Sequence, residues 1–342
     1  MVGGVQWASA CSLRDRHGRA GGERSGATGE EPVRAAVLRD YGIPRAADFE
    51  EPRAGGNEAV VKVLAAGLNP VDVAICAGRF YAGRPPLPVI PGREGVGVLD
   101  GRRVYFDAPV APFGSMAERA LINPLSTYEI PEQLEDGAAI ALGISGMTAW
   151  LALTWRAELE PGEHVLVLAA SGVLGQIAVQ AARLLGAARV VAAARSPEGL
   201  ERCLQLGADA AVRLGEPEDL PAALSEAAQG RIDVVVDPLF GEPFLAAVDA
   251  ASPGARIVQL GAGAGAEATL ASASVRGKLL VIIGHTYFLA PAEIKREAYR
   301  RLTEAAAAAE LRIESESMPL ERVETAWERL AAGSHRKIVL VP

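Results

Sequence analysis

The strongest constraint on this chain is a series of six short apolar segments in its second half. They read "HVLVLA", "RVVAAA", "AAVRL", "IDVVVD", "ARIVQLG" and "LLVIIGH". Helix-patterned stretches near 174–186, 197–207, 217–229 and 241–251 separate the first five. Strands that are apolar throughout, alternating with helices, form a parallel sheet covered on both faces. Six such strands match a doubly wound α/β sheet.

The first strand runs into "AASGVLGQIAVQAARLLGA", where Ala170, Gly172 and Gly175 form an Ala-x-Gly-x-x-Gly turn opening a helix. Glycine at 172 lets the backbone approach a pyrophosphate, and glycine at 175 lets the helix pack close to the strand. The helix start, with Ser171, Val173 and Leu174 around Gly172, offers free N–H groups and partial positive charge to an anion. The motif follows a strand, opens a helix and starts the alternation, which is the context a dinucleotide site requires. The bland alternative is an ordinary tight β–α turn.

A binder of NAD places Asp or Glu about 20 residues after the last motif glycine. Here the second strand ends in Ala194, Arg195 and Ser196. Arg195 suits a 2′-phosphate and Ser196 can donate to it, so the expected cofactor is NADPH rather than NADH. The alternative for Arg195 is a solvated surface charge.

Before the alternation, from Val33 to about Glu129, runs such as "RAAVL", "EAVVKVLAAGL", "GVGVL" and "RRVYF" are broken by Gly and Pro clusters. They read as an irregular, mostly β domain. "PEQLEDGAAIALGISGMTAWLAL" is helical in period. After the sixth strand come two helices and a last strand, "RKIVLVP". Residues 1–32 are rich in Gly, Ser and Arg without periodicity, and read as a disordered extension or a product of start-site choice. The net charge of −8 argues against a broad nucleic-acid or anionic-membrane surface. No apolar run reaches the ~20 residues of a membrane helix. Cys11, Cys76 and Cys203 are scattered, which fits a reducing cytoplasm and no disulfide framework.

Several further segments, in order, carry a family resemblance: "AAGLNPVDVAICAGRFY", "PGREGVGVL", "GISGMTAWLAL", "LGADAAV", "DVVVDPLFG", "VRGKLLVIIGHT" and "GSHRKIVLVP". Together with the turn motif, they resemble the zinc-free, zeta-crystallin-like quinone oxidoreductase branch of the medium-chain dehydrogenase/reductase superfamily. The resemblance implies a GroES-like β-rich catalytic domain, residues 33–150 and 287–342. It implies a Rossmann NADP-binding domain over 151–286. It also implies a homodimer joined through the sheet edge at "LLVIIG".

In zinc-dependent relatives a Cys and a His occupy the places that here resemble Asn69 and Arg93. Arginine does not replace a neutral imidazole as a ligand, so no metal is expected. His17, His164, His285 and His335 show no ligand spacing and read as surface or structural, with His285 the one candidate exception.

By resemblance, Asn69 of "NPVD" lies near the nicotinamide and is a candidate catalytic and cofactor-binding residue. Asp72 reads as a structural partner of that loop. Thr148, His285 and Thr286 are candidates for the nicotinamide end. Gly261 and Ala262 follow the fifth strand at the carboxyl edge, where ligands of such sheets bind. Lys337 resembles a terminal basic residue near the cofactor, or else is a solvated charge. Many relatives carry a tyrosine where this chain has Phe80. Tyr81, beside it, either faces substrate as a hydrogen-bond or proton donor or forms the rim.

The expected function is zinc-independent, NADPH-dependent hydride transfer to a small-molecule quinone or α,β-unsaturated carbonyl. Two alternatives stay open: a pathway-specific enoyl reductase or redox enzyme of secondary metabolism, and an NADPH-binding sensor or structural protein with little turnover.

Overall fold

The computed structural model describes residues 31–342, which divide into two units. The extension read at residues 1–32 falls almost wholly outside the described residues, as do Cys11 and His17.

The first unit holds the chain up to Thr127 together with Met318–Glu328 and Leu340–Pro342. Strands β1 (Val33–Val37) and β2 (Arg45–Phe49) pair antiparallel. Strand β3 (Ala59–Gly67) leads into helix α1 (Pro70–Cys76), followed by β4 (Glu94–Leu99), β5 (Arg102–Asp107) and β6 (Arg119–Ile122). β3 pairs antiparallel with both β4 and β6, and β4 with β5. The glycines of "EGVGVL" have a steric cause. A Cβ at Gly95 would stand 2.8 Å from the Ala65 carbonyl oxygen, and one at Gly97 2.5 Å from that of Lys62. β2 and β6 lack a sequence signal because one is a five-residue strand with no buried position and the other spans four residues. The short strand β7 (Thr127–Glu129) lies where the chain passes to the second unit.

The second unit comprises Tyr128–Ser317 and Arg329–Val339. It opens with a helical stretch from Asp136 to Arg156, containing α2 (Asp136–Ala141) and α3 (Met147–Leu151). The turns after each of them widen to π geometry, and Gly143 kinks the first. This corrects the reading that no segment is long and apolar enough to span a bilayer: by length and composition this stretch is. It is mostly buried, and the Tyr299 hydroxyl donates to the Ala139 carbonyl at 3.1 Å, as in a core helix of a folded unit.

The alternation follows: β8 (His164–Leu168), α4 (Val173–Leu184), β9 (Arg189–Ala194), α5 (Pro197–Gln205), β10 (Ala210–Arg213) and α6 (Leu220–Ala227). Then come β11 (Val234–Asp237), α7 (Gly241–Ala250), β12 (Arg256–Gln259), α8 (Ser272–Gly277), β13 (Val281–Gly284) and α9 (Ala292–Ala307). The sheet order is β10-β9-β8-β11-β12-β13, parallel throughout. The direction of winding reverses between β8 and β11, which opens a crevice at the carboxyl ends of those strands. Leu166, Leu168, Val191, Val235, Phe244 and Ile257 fill one face of the sheet as a continuous core.

Candidate functional site

The turn after β8 is set by backbone geometry. Ala169 adopts φ +51°, a left-handed conformation uncommon for a residue with a side chain, and its carbonyl accepts from the Gly172 N–H at 3.1 Å. Gly172 then caps α4 with extended backbone. The two motif glycines differ in purpose. A Cβ at Gly175 would sit 2.5 Å from both the Ala169 oxygen and the Ala170 Cα, so the fold itself forbids a side chain there. A Cβ at Gly172 would meet nothing nearer than the Ala169 oxygen at 3.6 Å. The packing of the chain around 172 therefore leaves room for a side chain, unlike that around 175. The first N–H groups of α4 lack partners within the helix and point the same way. Ala170 is buried and Ser171 half-buried, with the Ser171 carbonyl accepting from the Gln176 side chain at 2.8 Å.

At the end of β9, Arg195 is exposed and Ser196 caps α5, its Oγ accepting from the Gly199 N–H at 3.1 Å. Ser196 also donates to Glu198 at 2.9 Å. Arg213, from β10, reaches the Arg195 carbonyl at 3.3 Å. His335 joins this group. Its Nδ1 lies 3.0 Å from the Ser171 carbonyl oxygen and its Nε2 3.0 Å from Ser196 Oγ. A histidine read from sequence as surface or structural thus ties the motif turn to the end of β9. The fully buried Gln176 fixes the backbone beneath it, donating to the His335 carbonyl at 2.8 Å and accepting from Arg202 at 2.9 Å.

Farther along the sheet edge, Gly261 packs against the Pro238 carbonyl and Ala262 is exposed. Asp237 ends β11 fully buried. One of its oxygens caps the N–H groups of Leu239 and Phe240, and burial pushes its carboxyl above the usual range. His285 is buried edge-on to Trp155, and neither ring nitrogen makes a hydrogen bond of ordinary geometry. Burial and the nearby Arg156 charge push its imidazole down to about 4, against a weaker upward pull from the Thr148 backbone. The ring is therefore neutral near pH 7. Thr148 is half-buried, its hydroxyl donating to the Ile144 carbonyl at 2.6 Å, and Thr286 is half-buried beside His285. Lys337 is 2% exposed, which removes the solvated-charge alternative.

In the first unit, Asn69 caps α1 and is buried. Its N–H donates to Asp72 Oδ2 at 2.9 Å, the loop-fixing role read for Asp72. Its Nδ2 donates to Glu94 Oε1 at 2.7 Å. Glu94 is fully buried and also accepts from the Tyr105 hydroxyl at 2.7 Å. A carboxylate only accepts, so Glu94 decides which side of the Asn69 amide is nitrogen. Sequence reasoning missed Glu94 and Tyr105. A charged residue within the apolar run "EGVGVL" was the available signal. Tyr81 is 72% exposed and rests on Phe80 at 4.5 Å between ring centroids. Among the described residues, no group of three or more His, Cys, Asp or Glu side chains is placed to hold a metal ion.

Comparison with known proteins places these units. Residues 55–104 match the family described as alcohol dehydrogenase GroES-like domain, and residues 173–304 the family described as zinc-binding dehydrogenase. The chain is 33% identical over 251 residues to quinone oxidoreductase-like protein 2 of Rattus norvegicus, covering 70% of this chain and 71% of that one. It is 29% identical over 324 residues to the quinone oxidoreductase of Homo sapiens, covering 90% and 97%. The solved quinone oxidoreductase of Thermus thermophilus, also described in complex with NADPH, superposes with a TM-score of 0.80 at 33% identity, over 90% of this chain and 100% of that one. With a GroES-like part, a Rossmann-type parallel sheet and these relatives, the chain belongs to the quinone oxidoreductase branch of the medium-chain dehydrogenase/reductase superfamily and is an oxidoreductase.

Proposed function

We propose that this chain uses NADPH to reduce a quinone or an α,β-unsaturated carbonyl, without zinc. The observation that carries the cofactor assignment is the β8–α4 turn with no carboxylate at the end of β9. Gly172 is bare where the chain does not require it, and Arg195 and Ser196 stand where a ribose-binding acid would exclude a phosphate. The names of the relatives support a quinone as acceptor.

When bound, NADPH supplies the hydride. The helix start at Gly172, Val173 and Leu174 would hold the pyrophosphate, and Arg195 and Ser196 the 2′-phosphate. Neutral His285 and Thr148 belong to the nicotinamide end. Asn69, its amide held by Glu94, would orient the acceptor carbonyl, whose oxygen would need a hydrogen-bond donor as negative charge develops on it. Asn69 and Arg93 in place of zinc ligands support metal-free chemistry.

A second copy pairs with the outer edge of the sheet. β13 is the terminal strand, and Leu279, Val281 and Ile282 are exposed beside its unpaired backbone. Light scattering of the protein and of Ile282→Lys tests this; a wild-type monomer at micromolar concentration refutes it.

The function is tested by NADPH consumption across ortho-quinones, para-quinones, enones and enoyl thioesters. Turnover of a quinone or enone is expected. NADPH binding with no acceptor reduced overturns the reductase reading.

A further inference from the structure

We propose that His335 is a specificity-determining residue whose protonation switches Ser196 into a donor for the 2′-phosphate, so that the preference for the phosphorylated dinucleotide is set by the charge on this ring. The inference rests on the NADPH reading above.

The argument is a proton count. The Ser171 carbonyl has no proton, so His335 Nδ1, 3.0 Å away, carries one. Ser196 Oγ has a single proton and three neighbours: the Gly199 N–H at 3.1 Å, Glu198 Oε2 at 2.9 Å and His335 Nε2 at 3.0 Å. Gly199 only donates. If Ser196 gives its proton to Glu198, Nε2 must donate to Oγ, and the ring is an imidazolium. If the ring is neutral, Ser196 must give its proton to Nε2, and the Glu198 oxygen then faces a serine lone pair at 2.9 Å. The arrangement is satisfied only with the charged ring. Glu198, exposed, is held below the usual carboxylate range by its own backbone first, then by the Ser196 hydroxyl and the His335 and Arg213 charges.

The same count governs ligand binding. With the ring charged, Ser196 keeps its proton free to turn from Glu198 to a phosphate oxygen. With the ring neutral, that proton is committed to Nε2 and Ser196 meets the phosphate with lone pairs only. A 2′-hydroxyl both donates and accepts, so an unphosphorylated ribose bonds Ser196 in either state. Glu198 repels a phosphate and competes for the serine proton. The ring has a shaped seat, because a Cβ on the buried Gly199 would stand 3.1 Å from its Cε1. The charged residues on the elements that carry its partners are Arg195 after β9, Glu198 and Arg202 on α5, Arg213 on β10, and Arg336 next to it in sequence. Arg202 and Arg336 are both paired with Glu314. Glu198 and Glu314 are both held below the usual carboxylate range, so the ring faces carboxylates rather than neutral acids.

The test measures dissociation constants of 2′,5′-ADP and 5′-AMP for the full protein, by calorimetry, at about pH 6 and about pH 8.5, a more and a less protonating condition. In the wild type, the preference for 2′,5′-ADP over 5′-AMP is expected to be about tenfold or more greater at the lower pH, the scale of one charge-assisted hydrogen bond. A 2′-phosphate loses charge near pH 6, which works against this rise, so His335→Gln is the control. In His335→Gln the rise is absent while 5′-AMP binds as before. Glu198→Gln strengthens 2′,5′-ADP alone. Identical pH profiles in wild type and His335→Gln, or equal losses of both probes in the variant, overturn the proposal. A wild type that binds 5′-AMP but prefers it to 2′,5′-ADP at both pH values instead overturns the NADPH reading beneath it.

Discussion

The Asn69 amide nitrogen lies 2.7 Å from the carboxylate of Glu94, and the Tyr105 hydroxyl lies 2.7 Å from that carboxylate's other oxygen. All three are buried, so none has water as an easy substitute. Tyr105→Phe removes one donor and leaves a buried carboxylate oxygen short of a partner, at about 1–3 kcal/mol. Glu94→Gln cannot accept from both neighbours with its two polar ends. It is expected to lower kcat more than it raises KM, by letting the Asn69 amide turn. Denaturant unfolding and steady-state kinetics check both variants. Wild-type stability and kcat in the pair would show that the network orients nothing.

The two motif glycines should fail in different ways. Gly175→Ala places a Cβ 2.5 Å from backbone atoms of Ala169 and Ala170, and overpacking of that kind costs about 1–3 kcal/mol. Gly172→Ala meets no atom nearer than 3.6 Å and is expected to leave the melting temperature close to wild type. Its NADPH affinity should nonetheless fall about tenfold or more, roughly 1.4 kcal/mol. Thermal melts alongside NADPH titrations distinguish the two. A Gly172→Ala protein that binds NADPH normally would remove the pyrophosphate from this turn.

The parallel sheet was legible because its strands are apolar runs alternating with helix-patterned stretches; the folded chain adds the caps, Ser196 before α5 and Asp219 before α6, each accepting from the helix start. β2 and β6 were not legible, because antiparallel strands of five and four residues are too short to carry much periodic signal. In the candidate site, Gly172, Arg195 and Ser196 announced themselves by spacing along one segment. His335 did not. It sits 164 residues from Ser171 and 139 from Ser196, and only the folded chain brings the three together. Glu94 was hidden for a related reason: a buried carboxylate is recognised by its donors, and those come from α1's cap and from β5.

Arg195→Ala should separate the two dinucleotides. Arg195 is exposed at the end of β9, so its removal perturbs no packing. NADPH binding is expected to weaken about tenfold or more, on the scale of one charged contact to phosphate, while NADH binding stays within about twofold. Fluorescence titration with each dinucleotide checks it. Equal losses would return Arg195 to an ordinary surface charge.

Tyr81→Phe is expected to leave turnover unchanged. The residue is 72% exposed and its ring rests on Phe80, the setting of a rim residue. Unchanged turnover would leave the proton that follows hydride addition to a donor other than Tyr81. A drop of about a hundredfold in kcat, the scale of a lost general acid, would make Tyr81 the proton donor instead.

His285 gives stability an acid limb. Burial holds its imidazole down to about 4 in the folded protein, against 6.5 in the unfolded chain. As pH falls below about 6.5, the unfolded chain takes up this proton first, so folding loses free energy until about pH 4. The full loss is about 3 kcal/mol at 1.36 kcal/mol per unit. Asp237 has the opposite sign. Its carboxyl is raised on folding, so its contribution is present at low pH and disappears as pH rises through its folded value. A single pH profile therefore mixes the two. His285→Gln removes the first and leaves the second, and the difference between the two proteins isolates the histidine. Urea unfolding at about pH 7 and at about pH 4.5, near the ends of the window, should show the wild type losing more stability than the variant by most of that ~3 kcal/mol. Parallel losses in the two proteins would mean that the ring gains a proton in the folded state as readily as in the unfolded one, and that His285 is not held neutral by its surroundings.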